Sequence, residues 1–305
     1  MRTDYDVIII GGGPAGLTAA LYTSRARLRT MILEKESMGG ELVNRELIEN
    51  YPGFGEGVQG PDLAASMATQ AMSFGTKFEY AEVESIEVKE DYKVVHSDGD
   101  DYTCKAIIIA SGSQPRKLGV PGEEEFDYCG VFYCGTCDGP MYDGKAVAVA
   151  GGGDSAITEA LALARYATHV TVIARSKLRA SKVLQERAAA DPKISILCAT
   201  TIEEIVGDGE MTGLELLDRT TGEKKHLDAD GICVRIGQIP NTQFLEGLLE
   251  LTPGGQIPVN ENLETSIPGI FAAGDVREYS PMQISTAVGD GACAAMSLGR
   301  YLETH

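Results

Sequence analysis

The chain has 305 residues, 43% of them apolar, and a formal charge of −19 at pH 7. That length predicts two domains rather than one. The acidic balance, with no basic run, argues against nucleic acid or an anionic membrane as a partner.

No apolar run approaches the roughly 20 residues of a membrane helix. Met1 to Asp6 lead straight into a strand-like run without room for a signal peptide, so a cytoplasmic location is expected. Thiols are normally kept reduced there. The seven cysteines are odd in number and scattered, which does not suit a disulfide framework. Cys104, Cys129, Cys198, Cys233 and Cys293 read as small buried hydrophobes. The 36 glycines suit a fold with many tight turns and close backbone approaches, as nucleotide binding requires.

Val7–Ile10 is a continuous apolar run, the pattern of a strand buried on both faces. Gly11, Gly13 and Gly16 follow in the G-x-G-x-x-G spacing, with Pro14 and Ala15 inside it. A helical pattern runs on through Leu17, Ala20 and Leu21, and a β-rich run, Thr30–Leu33, ends in Glu34. Strand, glycine turn, helix, strand and acid together form a dinucleotide-binding fingerprint. Gly11 permits the turn, Gly13 lets the backbone approach a pyrophosphate, and Gly16 packs helix on strand. The helix N-terminus offers N–H groups to the phosphates. Glu34, about 20 residues on, is placed to accept from ribose hydroxyls, and Lys35 beside it is counted with the site.

A strand ending at Ala110 gives way to a turn at Ser111-Gly112-Ser113, and Pro115 and Pro121 mark a linker. Beyond it stands Cys134-Gly-Thr-Cys137-Asp138. A structural zinc site needs about four ligands, whereas this is the one CxxC, and His96, His169, His226 and His305 show no ligand spacing. A structural disulfide over so short a loop is unusual in a reducing compartment. A redox dithiol remains, with Asp138 as the local group able to deliver and remove a proton.

A second cradle follows. Val147–Ala150 reads as the strand, Gly151, Gly153 and Ala156 as the turn with Asp154 and Ser155 inside it, and Ile157 to Ala164 as the helix. The next strand, Val170–Ile173, is followed by Ala174-Arg175-Ser176-Lys177 and then Arg179, with no acid where Glu34 stood. Basic residues there suit a 2′-phosphate, which a carboxylate would repel. The first cradle is therefore expected to hold an adenine dinucleotide with a free ribose, and the second NADPH.

Nicotinamide delivers two electrons as hydride, a disulfide accepts two as thiolates, and a flavin converts between these modes. That assigns FAD to the first cradle. Ile232 to Thr242 repeats the strand-plus-turn pattern, and Ile270–Ala273 forms a strand before Gly274-Asp275. The fold expected is α/β, with two Rossmann-like (three-layer ββα) dinucleotide-binding domains, the second inserted in the first. The expected parts are residues 1–115 and 243–305 for FAD, and residues 116–242 for NAD(P)H and the CxxC.

Over essentially its whole length the sequence resembles the low-molecular-weight thioredoxin reductases. The resemblance is carried by "GGGPAGLTAALY", "ENYPGF", "CGTCDG", "GGGDSAITEA", "GQIPNT", "FAAGDV" and "QISTAVGDG". It implies that Asn50 and the Gly39-Gly40 turn lie along the flavin and that Gln283 presents its backbone N–H to the ring, with Glu41, Gly112, Met282 and Ile284 also in the FAD site. Gly274 and Asp275 would meet the FAD ribitol or pyrophosphate. Cys137 would be the thiol next to the flavin, Cys134 the thiol that attacks the disulfide of thioredoxin or a glutaredoxin-like protein, and Asp138 the acid/base. It further implies a homodimer, and a rotation of the inserted domain about hinges near Pro115–Pro121 and Ile239–Thr242. The sequence departs from the family where Ala174 and Ser176 replace basic residues of the NADPH loop, where Met282 replaces an arginine, and at Glu41. These departures keep NADH or a deazaflavin coenzyme as alternative donors. A dithiol oxidase on the same scaffold, and a flavin-bound redox sensor, are the competing readings.

Overall fold

The computed structural model describes residues 3–45 and 47–304. The chain divides into two compact units, Met1–Gln114 with Ile239–His305, and Pro115–Gln238. The first begins with strand β1 (Tyr5–Ile10), helix α1 (Pro14–Arg25), β2 (Thr30–Glu34), α2 (Gly60–Ser73) and β3 (Lys77–Tyr80). It continues with β4 (Val83–Val88), β5 (Lys93–Ser97) and β6 (Asp100–Ile109). These strands lie in the order β3-β2-β1-β6-β5-β4. Pairing is parallel from β3 through β6 and antiparallel from β6 to β4.

The apolar run of β1 follows from this placement. Val7 and Ile9 enter a core with Leu17, Phe271 and Leu298 on one face. Ile8 and Ile10 enter another with Ile86, Val95 and Ile257 on the opposite face. With both faces covered, every residue is apolar and alternation is lost.

The chain crosses to the second unit through β7 (Ser113–Pro115). There follow β8 (Val131–Phe132), α3 (Gly135–Asp138), β9 (Ala146–Ala150), α4 (Asp154–Leu163) and β10 (His169–Ala174). Next come α5 (Lys182–Ala190), β11 (Ile194–Cys198), β12 (Thr200–Asp208), β13 (Glu210–Asp218), β14 (Lys224–Asp228) and β15 (Gly231–Val234). One sheet runs β11-β10-β9-β15-β8, all parallel. A second, antiparallel sheet runs β12-β13-β14. Its Ile202, Ile205 and Leu214 share a core with Ala148, Ile173 and Ile232 of the parallel sheet, while α4 residues fill the core on the other face. Each unit thus repeats one scheme of parallel sheet, helices and antiparallel layer.

The return crossing is β16 (Gln238–Pro240), which pairs with β7. Back in the first unit, β17 (Ile270–Ala272) pairs in parallel with the end of β6, Ile270 opposite Ile107. Helix α6 (Ile284–Thr304) closes the chain. β6 therefore carries β5 along its first half and β17 along its second.

Two of the five isolated cysteines are buried as expected, Cys104 on β6 and Cys233 on β15. The other three, Cys129, Cys198 and Cys293, are exposed and correct that expectation. Cys198 ends an edge strand, Cys129 sits in the turn before β8, and Cys293 lies with Met296 on the outward side of α6. An apolar neighbourhood in sequence does not say which side of an element a thiol takes.

Phe271 is fully buried and meets Tyr301 edge-on, with ring centroids 6.3 Å apart. Phe271→Ala should cost about 3–5 kcal/mol, read as a lower midpoint in urea unfolding, whereas Phe271→Leu should cost less than half as much.

Candidate functional site

In the first unit the backbone leaves β1 at Gly11, whose φ of +105° is open to glycine. Its N–H donates to Leu33 O at 2.8 Å. Gly13 is the N-cap of α1 and Pro14 its first helical residue, where the missing proline N–H costs no hydrogen bond. A Cβ placed on Gly13 would meet nothing within 4 Å. Gly13 therefore borders open space into which the helix N-terminus points its unpaired N–H groups, and a dinucleotide pyrophosphate fits this cradle. Ala15 and Gly16 are buried in the first turn.

Glu34 reaches back to the turn. Its Oε2 accepts the Gly12 N–H at 2.6 Å and its Oε1 the Glu36 N–H at 2.8 Å. Each oxygen keeps acceptor capacity for a ribose hydroxyl. The Gly39-Gly40 turn sits on the same cradle, the Gly39 N–H donating to Gly12 O at 2.8 Å, and Glu41 follows on a short 3-10 turn, Gly40–Asn44. Lys35 is not brought to the cradle. Its ammonium pairs with Glu82 at 2.8 Å on an exposed edge.

Residues far apart in sequence close this site. Asn50 Nδ2 donates to Gln283 Oε1 at 3.2 Å. Gln283 N–H is directed at Thr286 Oγ1, 3.3 Å away, and Met282 before it holds a φ of +56°. Ile284 packs on Leu42, Ile48, Leu63 and Ala64. Burial pushes the Asp275 carboxyl upward, while the Ser280 hydroxyl donates to its Oδ1 at 3.2 Å. Sequence reasoning missed the fastener beneath this loop. Asp290 takes a two-pronged bond from Arg277, at 2.6 and 3.0 Å, and accepts the Gly274 N–H at 3.0 Å. It also missed Asn241, which exchanges bonds with Ser111 at 2.7 Å each way and donates its N–H to Gly112 O at 3.0 Å. Both hints lay in "GDVR" and "IPNT", but nothing in their spacing names a partner.

The second unit repeats the cradle. Gly151, at φ +143°, donates its N–H to Ile173 O at 2.9 Å. Ala156 takes the third position, fully buried. Gly153 caps α4 and, like Gly13, borders open space. Asp154 and Ser155 begin the helix, and Asp154 Oδ1 accepts the Ser181 N–H at 2.6 Å. The loop after β10 folds back over the turn, with the Arg179 N–H on Gly152 O at 2.6 Å. Arg175, Ser176 and Arg179 are exposed on that loop, so the residues present fit a dinucleotide carrying extra negative charge at its ribose.

Cys134 and Cys137 are joined as a disulfide with Cα atoms 5.3 Å apart. Cys134 is the N-cap of α3, and its sulfur accepts the Cys137 N–H at 3.2 Å. Asp138 ends the turn, half-buried, its N–H on Cys134 O at 2.9 Å. Burial, and next the Asp138 carboxylate, push the Tyr142 phenol upward. Beneath the turn, Arg235 donates from Nη1 to Tyr133 O at 2.9 Å and pairs with Glu159 at 3.7 Å. Glu159 Oε2 lies 2.8 Å from where a Gly135 Cβ would stand. Arg235, paired with Glu159, thus supports the carbonyl immediately before Cys134, and Glu159 lies close under Gly135.

A family model described as pyridine nucleotide-disulphide oxidoreductase matches residues 5–291. A thioredoxin reductase of Bacillus subtilis is 44% identical over 301 residues, covering 98% of this chain and 95% of the relative. One from Treponema pallidum is 42% identical, covering 100% of this chain and 99% of the relative. The crystal structure of thioredoxin reductase from Streptococcus pyogenes superposes with a TM-score of 0.91 at 41% identity, over 99% of each chain. The chain belongs to the pyridine nucleotide-disulphide oxidoreductases and, within them, to the thioredoxin reductases. It is a flavoprotein oxidoreductase whose cofactors are FAD and NADPH.

Two outcomes test this geometry. Arg235→Ala strips the buried Glu159 carboxylate of its guanidinium and should destabilise the second unit by about 3–5 kcal/mol. Adding Glu159→Gln should recover part of that loss in urea unfolding. Iodoacetamide on the native, oxidised protein should label Cys129, Cys198 and Cys293. Cys104, buried and pushed up to about 12, and Cys233, raised by burial, should stay unmodified by mass spectrometry.

Proposed function

We propose that this chain passes electrons from NADPH through FAD and the Cys134/Cys137 dithiol to the disulfide of thioredoxin or a glutaredoxin-like protein. The observation that carries this reading is the Cys134–Cys137 disulfide, mounted on the same compact unit as the cradle with the basic loop. Residues 1–115 and 243–305 would form the FAD domain, and residues 116–242 an inserted domain for NADPH and the dithiol. Cytoplasmic location, a homodimeric state, and the absence of nucleic-acid or membrane partners belong to the same proposal. Among the described residues no helix is long and apolar enough to cross a membrane.

Bound FAD supplies the conversion between hydride transfer and disulfide reduction. The first cradle would hold it through the Gly11–Gly16 turn, Glu34, the Gly39-Gly40 turn, Asn50, Asp275 and the Met282–Ile284 segment. Gly151, Gly153, Ala156, Arg175 and Arg179 would hold NADPH. Opening the Cys134–Cys137 bond takes two electrons and leaves two thiolates, or a thiol and a thiolate after one proton is added. The Cys137 N–H already directed at Cys134 Sγ stabilises negative charge on that sulfur.

The Cys134 thiolate attacks one sulfur of the partner's disulfide. An S–S bond forms to Cys134, and the partner's other sulfur leaves as thiolate and takes up a proton. Cys137 then attacks Cys134 Sγ, which re-forms the internal disulfide and releases the partner's second sulfur. Two electrons have passed to the partner and two protons have come from solvent. Asp138, part of the same turn, would relay them.

Cys134→Ser should preserve bleaching of the yellow protein by NADPH under anaerobic conditions and abolish thioredoxin reduction in a coupled assay. Full turnover by that variant would remove Cys134 from its role. In the same titration NADPH should reduce the flavin faster than NADH or a reduced deazaflavin, and the reverse order would reassign the donor.

A further inference from the structure

The loop that follows β10 is not completed by its own residues. Arg219, 44 residues beyond Arg175 in the sequence, stands at the turn after β13 and donates from Nη1 to the Arg175 carbonyl at 3.2 Å. Its backbone is held to the same place. Arg219 N–H donates to Ala199 O at 2.8 Å, and Ala199 N–H donates to Ser176 O at 3.4 Å. Three turns from separate parts of the second unit are thus stitched together at one end of the sheet, with an exposed guanidinium over the first of them.

The charges around this point are unbalanced. Among the described residues, Arg175, Lys177, Arg179 and Arg219 form no ion pair. The acids beside them are turned onto backbone N–H groups instead. Asp218 Oδ1 accepts from Thr220 and Thr221 at 2.8 and 3.1 Å, and Asp154 Oδ1 accepts from Ser181 at 2.6 Å. A chain with 45 acidic residues and 26 basic ones has here gathered four cations without a carboxylate partner. In a strand–glycine turn–helix cradle the adenosine ribose falls at the end of the second strand, here Ala174. A guanidinium has five N–H donors, and Arg219 uses one side of its fork on a neutral carbonyl. The rest can meet phosphate oxygens, for which its planar geometry is suited.

We infer that Arg219 is a specificity residue for the ribose 2′-phosphate of the dinucleotide donor, supplied to the loop from the β13–β14 turn. The inference rests on NADPH being the donor, and it identifies a contact that lies outside the strand–turn–helix–strand unit. An exposed charge-assisted contact of this kind is worth about tenfold in affinity.

The test uses the purified holoprotein and two fragments, adenosine 2′,5′-bisphosphate and 5′-AMP, which differ by the 2′-phosphate alone. Binding is read by isothermal titration calorimetry at two salt concentrations, for the native chain, Arg219→Ala, Arg219→Lys and Arg175→Ala. Arg219→Ala should weaken the bisphosphate about tenfold, leave 5′-AMP unchanged, and flatten the salt dependence, while Arg219→Lys should restore part of the loss. Equal bisphosphate affinity in Arg219→Ala and the native chain would overturn the assignment, as would equal loss of both fragments, which marks a merely structural role. If the native chain binds 5′-AMP as tightly as the bisphosphate, the NADPH reading fails and takes the assignment with it. If Arg175→Ala alone abolishes the preference while Arg219→Ala does not, the donor reading stands and Arg219 is excluded.

Discussion

At two points in this chain a buried parallel strand ends and the backbone must turn past a neighbouring strand with no room for a side chain. At Gly11 the neighbour is the backbone of Ala110 and Ser111, and at Gly151 it is the backbone of Arg235. Both glycines hold a positive φ, so the close approach and the reversal are met by the one residue type that tolerates both. Everything downstream depends on this passage. It sets the axis of α1 and of α4, aims their first N–H groups into open space beside Gly13 and Gly153, and brings the ends of β2 and β10 alongside.

Around these turns the acidic side chains serve the backbone more than they serve one another. Glu34 ties Gly12, Asp154 ties Ser181, and Asp290 ties Gly274 through direct acceptance of N–H groups. Glu123 does the same in the linker, taking the Leu118 and Gly119 N–H groups at 2.7 Å each. Charge-assisted bonds of this type are stronger than neutral ones. They allow loops with few apolar residues to hold fixed positions beside a cofactor. The large negative charge of the chain is thus partly structural.

β15 links the second cradle to the dithiol. Its backbone pairs with β9 on one side and β8 on the other, and the residue just beyond it, Arg235, supports the Tyr133 carbonyl next to Cys134. Cys233 of the same strand is fully buried and its thiol is pushed upward by that burial, so a third sulfur stands in this region without entering exchange. Cys134 on the turn differs from it in being partly exposed and in accepting the Cys137 N–H, which favours its thiolate.

The sequence by itself determined both cradles, the parallel strands that end in them and the reactive thiol pair, because each of these is written in neighbouring residues. A glycine turn, an apolar run and a CxxC are local patterns whose chemistry does not need a distant partner. The tertiary structure alone decided what fastens them. Asp290 to Arg277, Asn50 to Gln283, Asn241 to Ser111, Arg235 to Glu159 and Arg219 to Arg175 are side-chain contacts between separate elements, and no spacing encodes them. The same reason explains Lys35, which lies next to a cradle residue in sequence but turns to Glu82, and the three cysteines whose apolar neighbours did not bury them. A side chain's direction is set by the face of its element that meets the core, and that face exists only once the sheets and helices have packed.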